Sequence, residues 1–435
     1  VTTLDKRAPY LKAHLRDGSV YVLTKWTVDE ASRTVTGEGD LLGPDRRVRG
    51  SGPLTVPIAS VALFEANLVP DSLALQEKTV VAGISGAVTI GCLALPKACF
   101  GSCPTFYTSS DDGTGELLQA EGFSTSIAPS LEATDVDALY RARVDGQRFE
   151  VQMRNEALET HVVRHVHLLA APRPPGGRVI ATQTGEFRQA LDLGEPLSCA
   201  AAEGDCLPAV RAFDGLERVS RTDGKDLATR ETIDVSFEGS GERLGLVIGA
   251  RQTLLTTYLI YQTLAYMGTS ASAWMAEFER SGPMLVDRAH AIRDILGGIE
   301  VLVPDGNAGW TPAGTVHEVG PLAADVKVVP LPPLAGPVHL RLRLTRGHWR
   351  LDFLALARLG ESVTPTRQLP VEVTRDGAGR VDASARGSLT TLPGDAYRFV
   401  YRLPTGPEGY ERFLESRGYY LEWLRQEWMA EEHPA

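Results

Sequence analysis

The sequence predicts a mainly β fold with a helical insert: an α+β chain of antiparallel sheets and β-sandwich modules. Three observations carry this expectation. Short runs of β-branched and aromatic residues bounded by Gly and Pro recur along the chain, Val20-Tyr21-Val22-Leu23-Thr24-Lys25-Trp26 being the first. Residues 252–276 hold no charge, and Leu254, Leu255, Tyr258, Leu259, Tyr261, Gln262 and Ala265 describe a helix apolar on most sides. Between Tyr410 and Met429, the residues Tyr410, Phe413, Leu414, Arg417, Leu421, Leu424 and Trp428 recur at three- and four-residue steps, the spacing of an aromatic C-terminal helix.

The elements follow in order. Arg33–Gly39 alternates, and 54–58 and 61–64 are β-rich with Gly and Pro between them, so the N-terminal stretch reads as a small antiparallel sheet or barrel. Residues 79–96 are uncharged, with Ala82 and Gly86, and Gly83, Ala87 and Gly91, at helical spacing. Thr79, Ser85, Thr89 and the Gly and Pro residues dilute the segment, so it reads as a buried helix or hairpin, with membrane insertion as the other reading. A turn at Asp111-Asp112-Gly113-Thr114-Gly115 joins strands at 105–108 and 116–120. Two further hairpins are expected at 146–170 and 338–357, their returning strands (163–170 and 350–357) alike in pattern. Between them, 251–298 is the helical insert: the uncharged helix breaks at Gly268, a second helix holds Trp274, Met275 and Phe278, and a third starts at Ser281-Gly282-Pro283. The expected units are 1–140, 141–250, 251–298, 299–405 and 406–435.

Two resemblances attach to these stretches. Cys99-Phe100-Gly101-Ser102-Cys103-Pro104, with Tyr107 and a Gly-rich hairpin after it, is similar to a motif of bacterial extracytoplasmic proteins, many of them lipoproteins, of uncharacterised function. The likeness covers about 30 residues and implies export and a β-rich fold, with no activity attached. The units at 146–170 and 338–357 resemble strand pairs of jelly-roll or carbohydrate-binding-type β-sandwiches.

Composition narrows the class. The 435 residues suit several domains, with ordinary apolar and charged content. A net charge of −11 with no basic block argues against a nucleic-acid partner and against electrostatic adhesion to anionic lipid. Val1 reads as the start of a processed or trimmed chain, as after removal of a secretory or lipoprotein leader. The five cysteines include two close pairs, Cys99 with Cys103 and Cys199 with Cys206, expected as local disulfides in an oxidising compartment. Cys92, in an apolar run, reads as a buried thiol.

Candidate chemistry is sparse. His161, His165 and His167 share parity on one expected strand, so period-2 geometry places three imidazoles on one face, as a zinc or copper ion would need. No carboxylate or cysteine is close enough in sequence to complete a known ligand spacing. The two cysteine pairs do not match zinc-ribbon spacing. Gly83-Ile84-Ser85-Gly86-Ala87 falls short of a nucleophile elbow, and no phosphate loop, dinucleotide turn or haem attachment site occurs. Asp135-Val136-Asp137 and Asp223-Gly224-Lys225-Asp226 do not complete a calcium loop. No cofactor is expected. The expectation is an exported envelope protein, periplasmic or at the cell surface, attached by a lipid anchor or through 79–96. Its role is a non-catalytic binding or structural one, as an accessory subunit of a larger assembly. Tyr410, Phe413, Trp423 and Trp428 are its candidate partner surface. The alternatives are a carbohydrate-active or carbohydrate-binding protein and a metal-binding protein.

Overall fold

The computed structural model describes residues 10–15, 19–42, 48–67, 103–127, 129–144, 146–223, 226–259, 297–306, 309–317, 320–381, 388–405 and 409–422. Among them the chain is mainly β, in five sheets.

Sheet I is N-terminal. It comprises β1 (Tyr10–Leu15), β2 (Val20–Asp29), β3 (Thr34–Leu42), β4 (Val48–Pro57) and β5 (Val61–Asn67), in the antiparallel order β4-β3-β2-β1-β5. Its alternating strands bury Leu11, Ala13, Leu23, Val35 and Val56 on one face.

The remaining strands form a layered, sandwich-like body. Sheet II has the order β25-β24-β27-β9-β6-β7, from β6 (Thr105–Ser109), β7 (Glu116–Glu121), β9 (Arg148–Arg154), β24 (Glu372–Arg375), β25 (Gly379–Arg380) and β27 (Ala396–Arg402). Sheet III runs β23-β10-β28-β8, with β26 also on β10. Its strands are β8 (Ala133–Ala138), β10 (Glu159–Pro172), β23 (Thr366–Gln368), β26 (Leu389–Thr391) and β28 (Tyr410–Glu422). Sheet IV holds β11 (Arg178–Thr182), β12 (Phe187–Gly194), β15 (Arg218–Val219), β17 (Leu244–Gln252), β20 (Asp325–Pro330) and β22 (Trp349–Val363). Sheet V runs β14-β13-β16-β21-β18-β19, from β13 (Pro196–Ala201), β14 (Gly204–Asp205), β16 (Arg230–Phe237), β18 (Ile299–Pro304), β19 (Trp310–Val316) and β21 (Val338–Thr345).

Sheet IV closes on itself. Its order β12-β11-β20-β17-β22 returns through a β22–β12 pairing, giving a five-stranded barrel with one parallel pair, β11 with β20. So few strands leave a narrow interior, and most of its buried residues are alanine or valine (Ala190, Val247, Val326, Val328, Ala355 and Ala357), with Ile180 and Leu359 as the larger ones. A Cβ at Gly245 would lie 2.8 Å from Val328 Cγ2 and 2.9 Å from Leu359 Cδ2, so this inward position has no room for a side chain. The barrel's outer wall is covered on both sides. Leu246, Ile248, Leu354 and Leu356 pack against sheet V around Phe237, Leu340 and Leu342, while Val179, Ala181 and Phe187 pack against Leu169, Ala171 and Phe413 of sheet III. The other face of sheet III meets sheet II over Phe106, Phe149, Val166, Leu168, Tyr401 and Leu414.

Three expectations change. The 146–170 and 338–357 units are not hairpins. The strands form where expected, but β9 pairs β27 and β6 while β10 pairs β28, and β21 pairs β16 and β18 while β22 pairs β17 and β12. Each unit is an arch that carries the chain from one sheet to the facing one. At the first arch Asn155 Nδ2 donates to Glu159 O and Thr391 Oγ1, so the turn is tied to sheet III.

The helical insert is not borne out. Within 251–298 the described residues show β17 ending at Gln252 and α-helix at 254–259 only, with 260–296 outside the described residues.

Within the expected C-terminal aromatic helix the described residues form a strand, and 423–435 lie outside them. Tyr410–Glu422 is β28, central in sheet III between β10 and β8. It is buried on both faces, Phe413 on one and Leu414 and Tyr420 on the other, so period-2 alternation vanishes from its sequence and three- and four-residue coincidences stand out instead. No helix among the described residues is long and apolar enough to cross a membrane, and 79–96 lies outside them.

Candidate functional site

The histidines lie on β10, whose pairing with β28 shifts register between Val163 and His165. This bulge at Arg164 reverses which parity faces the core, because one extra residue turns every later side chain to the opposite face. Upstream, Glu159, His161 and Val163 are buried; downstream, Val166 and Leu168 take the core side and His165 and His167 point the other way. The three imidazoles therefore do not share a face.

His161 is fully buried. Its Nε2 lies 3.0 Å from Glu159 Oε2, which also accepts from the Cys103 N–H at 3.1 Å, and its ring stands edge-on to Tyr420. Burial pushes its pKa down to about 3, so the ring stays neutral.

His165 and His167 form a different arrangement. Their rings stack with centroids 4.2 Å apart and planes within 4°. Glu415, opposite His167 in the β10–β28 register, brings Oε1 to 3.1 Å from His167 Nδ1 and 3.5 Å from His165 Nε2. Its other oxygen, Oε2, accepts from Arg367 Nη2 at 2.8 Å, from β23 on the far side of β10. Burial raises the Glu415 pKa, but the Arg367 and His167 hydrogen bonds outweigh it and hold the carboxyl below its usual range. His165 is lowered, first by burial and then by His167, against the pull of Glu415. The three groups offer one ligand atom each, all within 4.8 Å of one another.

Glu415 is the residue that sequence reading misses. It stands 248 positions from His167, in a segment whose spacing imitates a helix, and only strand register brings the two together.

A second cluster sits where sheets II, III and IV meet. β8 is an edge strand of sheet III, and side chains of β20 satisfy its open ladder groups: Asp325 Oδ1 accepts from Ala138 N at 3.0 Å, and Lys327 Nζ donates to Val136 O at 2.9 Å. Glu121 accepts the N–H of Leu322 and of Ala323. Asp137 is buried, with no hydrogen-bond partner for Oδ2. Burial, then Asp135 and Asp325, push its carboxyl well above the usual range against the attraction of Lys327. This cluster seals a sheet edge.

The cysteine expectations divide. Cys199 and Cys206 form a disulfide with Cα atoms 5.0 Å apart, closing the β13–β14 turn, and both residues are buried in the core between sheets IV and V. Cys92 and Cys99 lie outside the described residues, while Cys103 is buried at the start of the β6–β7 hairpin. Of the expected partner surface, Phe413 is fully buried, edge-on to Phe187 and Tyr140. Tyr410 is half-buried and donates to Thr405 O, and Trp423 and Trp428 lie outside the described residues. No family model, curated protein or solved structure matches this chain.

Proposed function

We propose that this chain is an exported bacterial envelope protein, periplasmic or cell-surface, with a non-catalytic binding or structural role as a subunit of a larger assembly. The observation that carries the reading is the Cys199–Cys206 disulfide inside the core of a layered β body. Such bonds persist where thiols are oxidised and are rare in reducing compartments. The Cys99–Cys103 motif and its likeness to extracytoplasmic proteins point the same way.

The test is thiol counting on the unfolded native chain with and without reductant. The reading expects one labelled cysteine before reduction and five after it; five labelled before reduction would remove its main support. Purification of the protein from native envelopes, with identification of what remains bound through washing, tests the assembly role.

A further inference from the structure

We infer that His165, His167 and Glu415 form a mononuclear site for a divalent transition-metal ion of the zinc and copper class. The inference goes beyond the envelope role and does not depend on it.

The geometry comes first. Metal–nitrogen and metal–oxygen bonds of about 2.0–2.1 Å in a tetrahedral site place neighbouring ligand atoms roughly 3.3 Å apart. Glu415 Oε1 lies 3.1 Å from His167 Nδ1 and 3.5 Å from His165 Nε2, on either side of that value, and because the two rings stack with planes within 4°, an ion shared by both requires one imidazole to turn about its Cβ–Cγ bond until its ring plane contains the ion. A neutral imidazole pair with one carboxylate is a donor set suited to zinc, copper, nickel or cobalt, and three protein ligands leave a position open for water or a further ligand.

The surroundings also suit an ion. Arg367 holds Oε2 of Glu415 and leaves Oε1 facing the rings, the role that outer hydrogen bonds play for a one-oxygen carboxylate ligand. The Arg367 side chain is itself 57% exposed, so water screens its charge from the site. His165 Nε2 is buried and makes no hydrogen bond, a polar atom whose lone pair an ion would satisfy. Both imidazoles retain some exposure, which leaves an approach from solvent. All three ligands project from paired strands in the middle of sheet III, where the backbone is held by ladders on both sides.

The experiment is calorimetric titration of the full-length, chelator-treated chain with Zn²⁺ alone. One equivalent should bind. His165→Ala and His167→Ala should each weaken binding at least about 100-fold and Glu415→Gln at least about 10-fold. His339→Ala, at an exposed histidine of β21, should change nothing. Absence of stoichiometric binding, or binding that the His165 and His167 variants leave intact, would overturn the site. If those variants do not fold, paramagnetic resonance of the Cu²⁺-loaded wild-type chain decides. Hyperfine splitting from two imidazole nitrogens supports the site, and a spectrum without imidazole nitrogen overturns it.

Discussion

Sheets III and V both cover the closed barrel of sheet IV, yet they bury different chemistry. Among the described residues, the strands of sheet V bury one ionisable side chain, Glu231, and it is matched by Arg218 through two hydrogen bonds of 2.7 and 2.8 Å. The strands of sheet III bury Asp137, Glu159, His161, Glu411, Glu415 and Glu422. Glu411 is matched by Arg178 as Glu231 is by Arg218, but the buried Asp137 leaves Oδ2 without a hydrogen bond, and burying such a group is costly. The difference assigns sheet V and its disulfide to holding the body together. It places the candidate chemistry on sheet III, where Glu415 is shared between two histidines and an arginine.

The comparison makes predictions that scale with it. The largest effect belongs to the apolar side. Phe237 has no exposed surface and sits in the core between sheets IV and V, so Phe237→Ala should cost about 3–5 kcal/mol, with the same loss in denaturant melts at pH 5 and pH 8. A loss below 1 kcal/mol would mean that this core does not carry the fold. Next comes the staple. Cys199 and Cys206 are separated by 7 in sequence, a short loop, and replacing both with Ala should cost about 2–3 kcal/mol. Adding reductant to the wild-type chain should lower its melting midpoint in the same direction.

The smallest effect, and the one that depends on pH, lies at the charged junction. The raised carboxyl of Asp137 favours its neutral form in the folded chain, so the folded state binds the proton more tightly than the unfolded one. Its contribution is therefore fully present below the ordinary carboxylate range and is lost as pH rises toward the higher folded value. Asp137→Asn keeps a neutral side chain at every pH. Its melting temperature relative to wild type should rise between pH 5 and pH 8. A relative melting temperature that is lower and unchanged over that range would show Asp137 ionised and paired with Lys327, and would erase the contrast between the two sheets.

How much was legible follows from the same contrast. Sheet I strands β2 to β5 and the β6–β7 hairpin stand out in the sequence because each has a solvated face or a glycine turn; Gly113 and Gly115 adopt φ of 76° and 118° in that turn. Strand β28 escapes because both its faces are buried. The two arches look like hairpins because a sequence shows that two strands follow each other, not which partners their backbone groups find. The histidine pair was visible at His165 and His167, but the bulge at Arg164 that removes His161 leaves no mark in residue type.

The sequence by itself determined the β-rich chain, the short loop that Cys199 and Cys206 close, and the two-residue spacing that puts His165 and His167 on one face. These are local properties, set by side-chain shape and by distances of a few residues. Tertiary structure alone decided that sheet IV closes into a barrel, that β28 lies beside β10, and that Glu415 and Arg367 meet the histidines from other strands. Those outcomes depend on register, which is selected by how whole faces bury against one another. No single segment carries that information.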